Sequence, residues 1–113
     1  MSVLKHAHGT AFSVAVSHAT SAVASQAAVT GTKYYITDIA GSSDKAGSLL
    51  TVKQGTTVIF EVQLATTAAG INAFSHAFQQ PLEGAVGALV SVTVDGTSLC
   101  KANIAGFALP TLG

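Results

Sequence analysis

The sequence predicts an all-β fold, a single sandwich or barrel of short strands. Two observations lead there: apolar and polar residues alternate with a period of two in several separate runs, and turn-forming residues recur at short spacing between them. A third is negative. The one segment whose composition suits a helix, the Ala/Ser-rich stretch 19–28, carries no apolar stripe of helical periodicity and is read as a loop or arm.

The elements follow in order along the chain. Phe12, Val14 and Val16 alternate with Ser13, Ala15 and Ser17, and residues 33–39 and 49–53 are β-branched or aromatic runs. Residues 57–64 set Val58, Phe60, Val62 and Leu64 on one face of a strand and Thr57, Ile59, Glu61 and Gln63 on the other. Phe74-Ser-His-Ala-Phe78 reads as a strand closed by Pro81, which cannot donate to a ladder and so marks an edge or a turn. Residues 89–94 repeat the alternation with Val90, Val92 and Val94, and residues 99–109 make a long final strand. Turn signals fall at Gly31, Gly41-Ser-Ser-Asp44, Gly47, Gln54-Gly55, Ala69-Gly70 and Asp95-Gly96. That makes seven or eight strands, with no second domain and no internal repeat.

Composition narrows the function. Of 113 residues only 9% are charged, five Lys against five acids with no Arg, for a net charge of zero. Soluble domains average roughly 25%. So few cations leave no phosphate-binding surface for nucleic acid, and no polybasic patch for a membrane. The longest unbroken non-polar stretch, about residues 84–90, is far short of a membrane-spanning helix. The first eight residues, with Lys5, His6 and His8, do not resemble a secretory leader. Cys100 is the single cysteine, so no intrachain disulfide forms and a reducing cytoplasm suits the chain. A neutral chain that is 49% hydrophobic is expected to hide apolar surface in a partner.

Reactive residues are sparse. His6 and His8 share one strand face at a spacing that can bind zinc, yet no Cys, Asp or Glu lies nearby to complete a ligand set, and a terminal or interface role is preferred. His76, between Phe74 and Phe78, reads as a packed histidine, and Cys100, in step with Ala102 and Ile104, as a small buried hydrophobe. Asp44 and Asp95 fall in turns that Asx hydrogen bonding explains, and Asp38 is expected to bond donors of the adjacent turn. Glu61 and Glu83 have no local role. No nucleophile motif, phosphate loop or glycine fingerprint is present, so the expectation is no enzyme, no metal and no cofactor. An enzyme would need a pocket joining His76 to Glu61 or Glu83.

Lys33-Tyr-Tyr-Ile-Thr-Asp-Ile39, Gly41-Ser-Ser-Asp44 with Ala46-Gly47, Pro81-Leu-Glu-Gly84 with Gly87, Val90-Ser-Val-Thr-Val-Asp-Gly96 and Cys100-Lys-Ala-Asn-Ile-Ala-Gly-Phe107 occur in order over about 75 residues, a pattern which resembles small β-sandwich virion proteins of tailed bacteriophages. The capsid decoration, or cement, proteins are of this kind. The resemblance implies a single antiparallel β-sandwich, jelly-roll-like, with an N-terminal extension: residues 1–30 as an arm or first strands, and 31–113 as the sandwich domain. It implies a homotrimer on the exterior of a virion, made in the host cytoplasm, whose partner is the major capsid protein. Such a protein bridges capsid subunits, gaining avidity by multivalency and stabilising the assembled shell by mass action.

Strand parity nominates Tyr35, Ile59, Phe107 and Leu109 as trimer contacts, because each is set opposite the expected core. The Ala/Ser-rich first 30 residues are the candidate capsid-contacting arm, with Phe12, Val14, Val16 and His18 as its contacts. The second reading is a receptor- or glycan-binding module of a head fibre or tail. The absence of Trp and Arg, with only two Tyr, weighs against it.

Overall fold

Antiparallel pairing arranges eight strands in two four-stranded sheets. The computed structural model describes residues 9–64 and 72–110. The strands are β1 (Thr10–His18), β2 (Ser21–Gln26), β3 (Thr32–Ser43), β4 (Leu49–Gln54), β5 (Thr57–Gln63), β6 (Asn72–Glu83), β7 (Val90–Asp95) and β8 (Cys100–Pro110). The first sheet has the order β1-β8-β3-β6 and the second β2-β7-β4-β5. Successive strands thus cross from one layer to the other at every connection except β4–β5, and the last strand returns beside the first. That is the double Greek-key winding of a jelly roll. The expected class, a single antiparallel jelly-roll-like sandwich, is the observed one.

The core lies between the sheets. Tyr34, Ile36, Ile39, Leu50, Val52, Val90, Val92, Val94, Ala102 and Ile104 are buried, and fully burying each large aliphatic is worth about 1.5–3 kcal/mol. Phe12 meets Tyr34 edge-on at 5.3 Å between ring centroids, and the Tyr34 hydroxyl donates to the Ala27 carbonyl at 2.5 Å. At Gln54-Gly55-Thr56 the expected turn joins β4 to β5, with Gly55 at φ 56°, a left-handed value that favours glycine.

Several local expectations are corrected. Residues 19–28 are not a loop: Ser21–Gln26 is β2, paired along its length with β7. Ala22 and Ala24 are fully buried while Ser21, Val23 and Ser25 face out. Alanine at both inward positions hides the alternation from any reading based on apolar bulk. Gly41-Ser-Ser is not a turn either, because β3 runs on to Ser43. Gly41 lies under the tips of Leu50 and Val94, where a Cβ would come within 2.8 Å of both. The turn begins at Asp44.

Two β-bulges change which side chains face the core. In β3, Ile36 pairs with Gly106 and Asp38 with Ala105, so Thr37 is an extra residue. Inward facing passes from even positions (Tyr34, Ile36) to odd ones (Ile39, Gly41, Ser43). In β5, Phe60 pairs with Val52 and Val58 with Lys53, which makes Ile59 the extra residue. Val58, expected inside with Phe60, is therefore exposed, and Ile59 packs partly against the core.

Candidate functional site: faces and edges of the first sheet

The outer face of the first sheet is floored by small side chains. Ala11, Ser13, Ala15 and Ser17 of β1, Ala40 of β3, Ala73, Ser75 and Ala77 of β6, and Asn103 and Ala105 of β8 face away from the core. Ser13, Ala40, Ser75, Ala77, Asn103 and Ala105 among them line a shallow depression of about 270 Å³ bordered by Asp38. Asp38 accepts the Thr37 hydroxyl at 2.8 Å rather than donors of the following turn. Among the described residues, charge on this face is limited to Asp38 and Lys101, with Lys33 and Glu83 at one end.

At that end stands an aromatic pair. Tyr35 and Phe107, cross-strand partners of β3 and β8, stack with centroids 5.0 Å apart and planes 11° from parallel. The Lys33 ammonium lies 5.6 Å from the centre of the Tyr35 ring and is 2.5 Å from Glu83, whose carboxylate holds the lysine pKa above its ordinary value. Leu109, paired with Lys33, completes this half-buried patch. Ile59 belongs to the second sheet, at the bulge of β5, so the four nominated residues occupy two separate surfaces.

The nominated residues of β1 are also divided. Phe12, Val14 and Val16 turn inward and pack against the core, leaving the small residues between them outside. His18 is exposed, and its Nδ1 accepts the backbone N–H groups of Thr20 and Ser21 at 3.2 and 3.3 Å, pinning the β1–β2 turn. His6 and His8 lie outside the described residues, as does Ala69-Gly70.

Asp44, Glu61 and Cys100 have structural partners. Asp44 reaches across 53 residues of chain to the β7–β8 loop, not to its own turn. Its carboxylate accepts the N–H groups of Thr97, Ser98 and Leu99 at 2.8–3.1 Å and the Ser98 hydroxyl at 2.5 Å. Those bonds, led by the Ser98 hydroxyl, lower its pKa from 3.8 to about 2. Glu61 accepts the Thr51 hydroxyl at 2.9 Å. Cys100 is buried, which pushes its thiol pKa up, and its Sγ–H donates to the His18 carbonyl at 3.4 Å. Among the described residues no three His, Cys, Asp or Glu gather where a metal ion could be held.

His76 is not enclosed as a packed histidine would be. Its residue is exposed on β6, while its ring lies 4.7 Å from Phe78 and 6.2 Å from both Phe60 and Phe74. Phe60 and Phe78 meet edge-on at 5.4 Å. These rings line the side of the sandwich where β5 and β6 form the sheet edges, and among the described residues no strand covers that side. Pro81, expected to mark an edge or a turn, lies within the edge strand β6, which runs on to Glu83 rather than closing there; that β5 is the facing edge follows from strand order alone.

No protein-family model matches the chain, and no curated protein matches it. Solved structures do. One is a virus-like particle of the extra small virus of the giant freshwater prawn Macrobrachium rosenbergii, seen by cryo-electron microscopy. The likeness covers 85% of this chain and 77% of that one, at 10% identity and a TM-score of 0.37. No residue role is carried over from it.

Proposed function

We propose that the protein is a structural virion component, most concretely a trimeric capsid decoration protein that binds the assembled head and bridges its subunits. The observation that carries this reading is the surface of the first sheet: a nearly uncharged face of small residues, ending in the Tyr35–Phe107–Leu109 patch, on a jelly-roll framework. Small side chains let another protein's backbone approach closely, and the aromatic pair supplies the apolar anchor that contact surfaces favour. Since Phe12, Val14 and Val16 are engaged with the core, β1 offers a partner its outward residues and its backbone edge. The patch is assigned to the shell, and copies of the chain join elsewhere, as argued below. Bridging then follows from multivalency, each copy adding a modest contact at high effective concentration.

The test is the mass of the purified protein, alone and with shells of the parent virion assembled without it. A trimer that saturates those shells and raises their rupture temperature, with saturation lost in Phe107→Ala, supports the reading. A protein that leaves the shells bare overturns it. The stacked Tyr35–Phe107 platform beside Lys33 and Glu83 favours one second reading, a receptor- or glycan-binding module. Binding to host cells or sugars in place of shells would move the assignment there.

A further inference from the structure

The two edges of the first sheet are β1 and β6, and among the described residues no strand covers either. Solitary proteins guard such edges with lysines, prolines, bulges or short strands, since an open row of N–H and C=O groups pairs with any suitable strand. Here the guards are missing along β1 and along residues 72–77 of β6; beyond Ala77 the ladder to β3 is interrupted, four β6 residues (78–81) standing against Thr37 alone. The nine residues of β1 carry no charged Lys, Asp or Glu and no proline. The first nine residues of β6 are equally free of them, and Pro81 and Glu83 come only at its far end.

The edges also match each other. Ala11-Phe12-Ser13-Val14-Ala15 and Ala73-Phe74-Ser75-His76-Ala77 agree at four of five positions, a likeness too short to register as a repeat. Both point their larger residues toward the core layer and their small ones outward. Directions agree too. β1 is antiparallel to β8, β8 to β3 and β3 to β6, so β1 and β6 run in opposite senses. A second copy placed with its β1 beside β6 therefore continues the sheet as one more antiparallel pair.

The geometry points to head-to-tail assembly through these edges: β1 of one copy pairs with β6 of the next. In the register that keeps both core-facing sets on one side, Val14 lies opposite His76, Ser13 opposite Ala77 and Ala15 opposite Ser75. The incoming Phe12, Val14 and Val16, half-buried against their own core, then lie beside Phe78, His76 and Phe74 as cross-strand neighbours on the core-facing side. Because the two edges are different surfaces, the contact is heterologous, which generates a closed ring when the rotation closes. The occupant of each edge is a second copy of this chain. This rests on the self-association half of the function proposed above and says how the copies join.

Cysteine cross-linking tests it, using exposed outward positions where small side chains already stand. Ser13→Cys, Ala77→Cys and the double variant are treated with a short bifunctional thiol reagent at low protein concentration. Cys100 is buried and serves as the unreactive background. The expected result is no covalent product from either single variant, dimers from the two co-expressed, and a ladder up to the whole ring from the double variant. Self-linking of a single variant would mean a two-fold edge contact and overturn the proposal, as would the absence of product from the double variant. Ala77→Lys, a guard of the natural kind, is expected to reduce the ring to monomers with its own unfolding transition retained, and an unchanged mass would overturn the proposal. Rings that ignore shells remove the virion role and leave this assembly standing; shells bound without cross-links do the reverse.

Discussion

At the residue scale, single atoms decide what the strands tolerate. Gly106 sits opposite the β3 bulge, where an added Cβ would run into the Tyr35 carbonyl oxygen and the Ile36 Cα. Gly41 would meet the tips of two side chains. Backbone cannot step aside as side chains can, so Gly106→Ala is expected to destabilise more than Gly41→Ala, for which overpacking costs about 1–3 kcal/mol. Denaturant midpoints of the two variants decide the order. Asp44 has a different signature. Its folded pKa, about 2, lies below the ordinary 3.8, so its contribution is complete above pH 4 and is lost as pH falls through 2. Asp44→Ala should therefore lower Tm at neutral pH and flatten the Tm profile between pH 4 and 2, as calorimetry across that range would record.

At the scale of the element, β2 is the instructive strand. Its inward residues are Ala22 and Ala24, fully covered because β7 lies beside them and the first sheet lies over them. Ala24→Leu should cost about 1–3 kcal/mol by overpacking, whereas Val23→Ser, on the exposed side, should stay within about 0.5 kcal/mol. Equal effects from both in urea titrations would mean that β2 is not seated as described. Deleting residues 2–25 would remove β1 and most of β2, so the expected outcome is unfolding rather than a trimmed arm, read by loss of the cooperative transition. Tyr35 and Phe107 were legible as outward residues because each alternates with core-facing neighbours, buried Tyr34 and Ile36 beside the first and half-buried Ala108 beside the second. Ile59 and Val58 were not, because the bulge that exchanges their roles arises from pairing with β4.

At the scale of the whole molecule, scarcity of charge shapes behaviour. Copies that meet through backbone ladders and apolar side chains have few ion pairs to screen. The assembled mass is expected to be the same from low to molar salt, as light scattering would show; dissociation on adding salt would point to an interface built on Lys33, Glu83, Asp38 and Lys101 instead. Under the proposed head-to-tail joining, a sheet whose two edge strands no described strand covers takes one neighbour at each edge, which suits a closed assembly better than a solitary sandwich.

The sequence by itself determined the all-β class, the positions of most strands, the turn at Gly55 and the poverty of charge. These depend on neighbours two to four residues apart, and alternation and turn chemistry record them directly. Only the tertiary structure decided the rest. Strand order made β1 and β6 edges, pairing placed the bulges at Thr37 and Ile59, and the closed sandwich brought Asp44 to Ser98 and covered the alanines of β2. Each of those is a contact between residues tens of positions apart, and no local pattern of side chains encodes which distant backbone will arrive beside it.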